Sequence, residues 1–274
     1  MNPTRKIQLF SLLCACLLWL AGCSQKPEPQ PETPAPPVSP VQPEEPTSPE
    51  NNGVAIESDL SAGQEQSDQG KTLLRWSLSI PRALLDGEPM MNIGNYYDNY
   101  KEKRLLSLQE ELLPMARQRL EDGVLLGAFD VEEDFAVVRN QGNVLSIRRS
   151  CRQYSGGAHE AVEEKAETWL LREGDCYLLS LADLLPGAQD PRALVLEQAA
   201  LLAQKQAEEQ PDQFYENYQE AMEQTWQPED FYLTEDSLGL IFQQYAVGPY
   251  TSGAMTFEIP LAQLGDNLTE ELRP

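Results

Sequence analysis

His159 is the only histidine in 274 residues, and it closes the segment Tyr154-Ser155-Gly156-Gly157-Ala158-His159. A hydroxyl four positions from an imidazole raises the chemistry of a serine nucleophile with an adjacent base, which requires both side chains within hydrogen-bond reach. The Gly-x-Ser-x-Gly elbow that exposes such a serine is missing from the chain. A second segment, Tyr245-Ala246-Val247-Gly248-Pro249-Tyr250-Thr251-Ser252-Gly253, adds two tyrosines and a proline between turn-forming glycines. Gly156-Gly157 permits positive φ and a tight reversal. His159 can donate to a carbonyl or hydroxyl across a neighbouring loop, with Tyr154, Tyr245 and Tyr250 packed around it. Three roles stay open for this set: locking two loops together, contacting a ligand, and catalysis.

Other chemistries are poorly supplied. A zinc site draws several His or Cys ligands, and one histidine with two separated cysteines falls short. The run Glu132-Glu133-Asp134 lacks the alternating oxygen ligands and glycine of a calcium loop, and reads as a solvated acidic face. With 44 acidic residues, any carboxylate pair suited to glycoside hydrolysis is uninformative. No phosphate-cradling glycine loop follows a strand. We therefore expect no metal, no cofactor and no enzyme, with a hydrolase as a distant third reading.

The N-terminus carries an address. Arg5 and Lys6 precede a mostly apolar stretch from Ile7 to Leu20. As a helix it would span roughly 21 Å, short of the ~30 Å hydrocarbon core, so it reads as a signal-peptide core. It ends Leu20-Ala21-Gly22-Cys23, which resembles the lipobox of bacterial lipoproteins. Residues 1–22 are then a cleaved leader, and Cys23 carries the lipid. Two acyl chains on a diacylglyceryl group satisfy the two-signal requirement for stable anchoring. The expected location is the extracytoplasmic face of a cell membrane.

From Lys26 to Glu50 prolines recur nearly every third residue among Glu, Gln, Thr and Ser. Such a run favours extended polyproline II and cannot form a core. At ~3.1 Å per residue, Pro27 to Pro49 reaches roughly 70 Å. We read residues 23–70 as a disordered stalk and 71–274 as one domain. The formal charge is −24, and acids predominate in stalk and domain alike. Nucleic acid and anionic headgroups would be repelled and cationic partners attracted.

Leu74, Trp76, Leu78 and Ile80 alternate, predicting a strand over Thr72 to Ile80. Met90 to Glu121 shows helical spacing (Leu105, Leu108, Leu112, Leu113, Ala116, Leu120), with Pro114 suggesting a kink or break. Strands follow over Val124 to Arg139, Val144 to Tyr154, Ala161 to Arg172 and Cys176 to Leu181. Helices are predicted over Ala193 to Glu208, begun by Asp190-Pro191, and over Asp212 to Trp226. A hairpin over Phe231 to Thr234 and Leu238 to Gln243 and a strand over Ala254 to Ile259 complete the sheet. The class is α+β, an antiparallel sheet with helices in a single domain. In that register Cys151 faces roughly Glu164 and Cys176 roughly Leu171. The two thiols then lie on strands separated by a third, about 9.5 Å apart at ~4.8 Å per strand. A disulfide needs Cα atoms within ~6.8 Å, so we expect none.

The two loops together resemble the extracytoplasmic domain family of RsiV-type anti-sigma factors and PdaC-type peptidoglycan deacetylases. Its marks are a Tyr-Thr-Gly-Gly-Ala-His segment and a late Tyr-x-x-x-Pro-Tyr-x-x-Gly segment before an Ile-Pro strand end. Here Tyr154, Ser155, Gly156, Gly157 and His159 match the first, with serine for threonine, and Tyr245, Pro249, Tyr250 and Gly253 match the second. Glu160 and Gly248 depart from the commoner residues. A lipobox stands where a sigma-binding segment and membrane span would lie, and little chain follows Ile259, so neither sigma regulation nor deacetylation is carried over. The resemblance implies a binding or sensing module, in the best-known case one that recognises lysozyme. The expected partners are therefore the membrane through Cys23, and lysozyme or peptidoglycan. The alternative is a structural or chaperone-like envelope lipoprotein without a specific ligand.

Cys23→Ala should abolish lipid labelling and release the protein from membranes. A variant still sedimenting with membranes through its N-terminus would refute the lipobox assignment.

Overall fold

The structure, a computed structural model, describes residues 52–272; the leader, Cys23 and the proline-rich run lie outside the described residues. Order begins earlier than the expected Lys71. Val54–Gln66 forms β1, which pairs antiparallel along β2 (Thr72–Leu85) from Val54↔Leu85 to Gln66↔Thr72. The sequence of β1 is polar because it is an edge strand, with only Val54 fully buried. Gly63, within the stretch read as stalk, lies opposite Trp76, and a Cβ there would sit 2.4 Å from the indole ring. The boundary between stalk and domain therefore moves from residue 70 to before residue 54.

β3 (Glu88–Pro89) turns back on β2, and the chain enters α1 (Met91–Ser107), a π-helical turn (Leu108–Leu112) and α2 (Leu113–Glu121). Pro114 neither breaks nor ends this run. It falls in the first turn of α2, where its missing N–H is least costly, and the wider turn lies just before it. β4 (Phe129–Gln141), β5 (Val144–Tyr154), β6 (Ala161–Arg172) and β7 (Asp175–Leu178) then form an antiparallel meander. Gly142 (φ 58°) and Gly174 (φ 84°) sit in two of its tight turns.

α3 (Leu181–Leu184) is capped by Ser180, and α4 (Pro191–Glu209) by Asp190, whose carboxylate accepts the Ala193 N–H at 3.0 Å. The helix expected from Asp212 shortens to α5 (Tyr218–Thr225). Tertiary contacts hold residues 213–215 out of it: Phe214 packs on Phe257, and Tyr215 donates its N–H to the Val247 carbonyl. β8 (Phe231–Leu233), β9 (Ser237–Phe242), β10 (Met255–Pro260) and α6 (Leu261–Leu264) follow.

The α+β class stands, with two corrections to the sheet. β2 and β4 are parallel, from Leu74↔Phe129 to Leu78↔Glu133, because the α1–α2 crossover returns the chain to the same end. The last three strands form a separate sheet, ordered β10-β9-β8, beside the large one, ordered β1-β2-β4-β5-β6-β7. β8 stacks on the large sheet through its backbone: the Leu233 N–H donates to Ser146 Oγ at 3.0 Å, and Ser146 shares a hydrogen bond with Thr168. The layers follow the packing. α1 and α2 cover one face of the large sheet with Ile93, Tyr97, Leu108, Leu112 and Ala116. Ala166, Tyr232 and Ile241 join the two sheets, and α4 buries Val195, Leu196 and Ala199 with the small sheet.

Cys151 lies opposite Glu163 on β6, one residue from the expected position, and Cys176 opposite Leu171, with both thiols free and buried. No helix among the described residues is long and apolar enough to cross a membrane.

A chain starting at Lys71 exposes the edge of β2 and loses Val54 from the core. Its unfolding midpoint should fall by about 5–10 °C relative to a chain starting at Thr47, given ~2–4 °C per kcal/mol at this size. Equal midpoints would mean that β1 contributes nothing.

Candidate functional site

The two loops singled out by the sequence meet at one end of the molecule. The β5–β6 turn reverses at Gly156 (φ 82°). Arg119 of α2 donates to the Gly156 carbonyl at 2.9 Å, and a Cβ at Gly156 would come within 2.8 Å of that guanidinium and 3.1 Å of Phe129. The imidazole of His159 stacks on Tyr250, with centroids 4.4 Å apart and planes 24° from parallel. Tyr245, in the left-handed region at φ 68° and 53% exposed, lies 6.0 Å from Tyr250. Gly157 and His159 are exposed, whereas Tyr154 and Ser155 are half-buried. Tyr154 ends β5 opposite Asp130 and is not part of the stack. Among the described residues, no hydrogen bond joins Ser155 to His159.

Side-chain amides hold this end together, a role the sequence did not reveal. Gln243 Oε1 accepts the Glu164 N–H at 3.0 Å while its Nε2 donates to the Glu164 carbonyl at 2.6 Å. Gln244 Oε1 accepts the Val162 N–H at 3.4 Å. On the far side, Ser252 donates to the Gln213 carbonyl at 2.8 Å. Gly248 packs so closely there that a Cβ would lie 2.1 Å from the same oxygen. Pro249 starts the short 3-10 turn Tyr250–Ser252, and Gly253 (φ 64°) ends it.

A second cluster lies inside the protein. Arg149 on β5 is 5% exposed and makes a bidentate pair with Glu167 of β6, at 3.1 and 2.6 Å, and a third bond to Glu133 of β4 at 2.7 Å. Glu133 is 1% exposed, so the acidic run that reads as a solvated face has its middle residue in the core. Three tyrosines of α1 complete the cluster: Tyr96 and Tyr97 donate to Glu167 at 3.1 Å each, and Tyr100 to Glu133 at 2.7 Å. The Arg149 guanidinium sits 4.0 Å from the centroid of the Tyr100 ring. Burial opposes the Arg149 charge, but the bonds and charge of Glu167 raise its pKa above the usual arginine value. Burial, then the Glu167 carboxylate, pushes the Tyr96 phenol up to about 12. Tyr97 and Tyr100 are also raised, burial being the largest cause in each.

Beside this cluster a cleft of about 650 Å³ opens along β6. Tyr96, Arg149 and Glu167 line its inner side, Leu178, Leu181 and Phe231 supply apolar wall, and Glu163 and Glu229 also line it. Lys165, in the same cleft, is paired with the buried Asp230 at 2.8 Å. No group of three or more His, Cys, Asp or Glu able to hold a metal ion occurs among the described residues.

A family model described as a protein of unknown function, DUF3298, matches residues 182–262, which span α4, α5, the small sheet and the second loop. A solved structure of a DUF3298 family member from Bacteroides fragilis is similar with a TM-score of 0.56 and 16% identity, covering 81% of this chain and 96% of that one. A DUF3298 family protein from Pseudomonas aeruginosa PAO1 is similar with a TM-score of 0.52 and 20% identity, covering 82% and 98%. At these identities the likeness is one of fold. No curated protein matches the chain.

Arg149→Met leaves the buried Glu167 without its cation and Glu133 with only Arg104 at 3.8 Å, and should cost about 3–5 kcal/mol, read by denaturant unfolding. A loss under ~1 kcal/mol would mean that the cluster is solvated. The raised tyrosines give a second test. Their contribution to stability is complete below pH ~10, the unfolded pKa, and is lost as the pH rises towards the folded values. For Tyr96 that window ends at about 12.

Proposed function

We propose that this chain is a lipid-anchored extracytoplasmic binding module of the RsiV/PdaC type, not an enzyme, whose contact face is the aromatic end of the domain. The observation that carries the reading is the stack of His159 on Tyr250 with exposed Tyr245 beside it. These rings are displayed by loops fastened to two sheets, so little conformational freedom is lost when a partner covers them. Stacked rings suit a sugar face or the stem and charge of a lysine or arginine. The negative charge of the chain, −24 overall, steers cationic partners towards it. Both properties fit a lysozyme-like cationic protein or cell-wall glycan. Catalysis finds no support: among the described residues no hydrogen bond joins Ser155 to a base, and the buried carboxylates are paired, Glu133 and Glu167 with Arg149 and Asp230 with Lys165. Cys23 would hold the module at the membrane and the proline-rich run would space it from the surface.

The test is titration calorimetry of the purified protein against hen lysozyme and against soluble peptidoglycan fragments. Binding to one of them should weaken at least tenfold in Tyr245→Ala, a side chain exposed enough to remove without disturbing the core. Lysozyme binding should also weaken steeply as salt rises, since exposed charges are screened beyond ~8 Å at 0.15 M. No binding to either at low salt would overturn the reading in favour of a structural envelope lipoprotein.

A further inference from the structure

The large sheet ends unevenly. β7 pairs only with Trp169–Arg172, so the first two-thirds of β6 has a strand neighbour on one side alone. Hydrogen bonds on the open side identify which residues face outward. Glu164 gives its N–H and carbonyl to the Gln243 side chain, which occupies the place of a neighbouring strand. Thr168 gives its carbonyl to the Leu179 N–H at 2.7 Å. Backbone groups in an antiparallel strand point the same way every second residue. Ala166, midway between, therefore directs its N–H and carbonyl outward as well, and Thr168 its N–H. Among the described residues none of these three groups has a partner, and both residues line the cleft beside the Arg149 cluster.

We propose that this open edge is a docking site for an extended, basic peptide segment, which adds to β6 as a short strand. Strand addition of this kind draws affinity from main-chain hydrogen bonds and selectivity from pockets for alternate side chains. The open stretch from Glu164 to Thr168 is about 13 Å long at ~3.3 Å per residue, room for three or four residues. The cleft sets the chemistry of the side chains. Leu178, half exposed at 50%, with Leu181 and Phe231 offers an apolar pocket. The two cations in the cleft are already committed, Arg149 to Glu133 and Glu167, and Lys165 to Asp230. Glu163 and Glu229 are exposed and make no ion pair among the described residues. The uncompensated charge is negative, so lysine or arginine must flank the apolar residue of the guest. Gln243 and Leu179 cap the two ends of the open stretch and limit the guest to a short insertion. This site goes beyond the aromatic face and does not rest on it.

The test uses the purified protein and three synthetic pentapeptides: acetyl-Lys-Val-Leu-Val-Lys-amide, the same peptide N-methylated at its central three residues, and its Glu-for-Lys counterpart. The basic parent should bind with saturable affinity and slow hydrogen exchange at the Ala166 and Thr168 amides. N-methylation and the acidic replacement should each weaken binding at least tenfold. The double variant Glu163→Lys, Glu229→Lys, both on the surface, should weaken the parent peptide by a similar factor. Equal binding of the parent and N-methylated peptides would overturn strand addition in favour of charge adhesion. No binding of the parent at millimolar concentration, or unchanged exchange at Ala166 and Thr168, would overturn the proposal outright.

Discussion

A guanidinium in an apolar layer must be paired, because an isolated buried charge costs far more than packing returns. Arg149 points from the middle of the large sheet into the layer beneath α1, and the strands on either side supply its counter-charges. Its direct neighbours in register are Phe135 on β4 and Lys165 on β6. The carboxylates come from two residues along on each strand, Glu133 and Glu167. A one-residue slip of either strand would turn its glutamate to the opposite face. The cluster thus locks the register of three central strands together, in the way a single buried polar residue specifies pairing in simpler folds. The same carboxylates dock α1, since Tyr96, Tyr97 and Tyr100 all donate to them. The wall of the cleft is consequently part of the device that aligns the sheet.

Much of this architecture was legible where chain-local signals agreed. The limits of β5 and β6 follow from turn glycines and alternating apolar residues, and the start of α4 from Asp190-Pro191. What was not legible depends on partners distant in sequence. β1 is hidden because an edge strand carries polar residues, and its one odd feature, Gly63, makes sense only once Trp76 lies across it. The first part of the expected helix from Asp212 is lost to contacts with Val247 and Phe257. The small sheet was read as closing the large one because strand propensity does not say which strands pair.

The candidate sites divide in the same way. The His159–Tyr250 contact could be anticipated because both residues sit in loops with distinctive spacing. Arg149, Glu133 and Glu167 could not, since acids are so abundant that no pair stands out and only register brings these three together. Glu133 illustrates the point, with neighbours Glu132 and Asp134 directed away from the core while it lies within. Gln243 and Gln244 carry no signal at all in sequence, yet their amides pair with the β6 backbone at Glu164 and Val162.

The two buried thiols bear on how the folded domain meets oxidants. Burial and the adjacent Asp175 push the Cys176 thiol up to about 12. Burial raises Cys151 too, although Arg104 opposes it. A thiol held in that form is a poor nucleophile and a poor target for oxidants. No covalent cross-link is needed to bring β5 and β7 into place, because β6 already lies between them with its own register. Once the domain is folded, both thiols are thus shielded from oxidants and kept apart from each other by the strand between them.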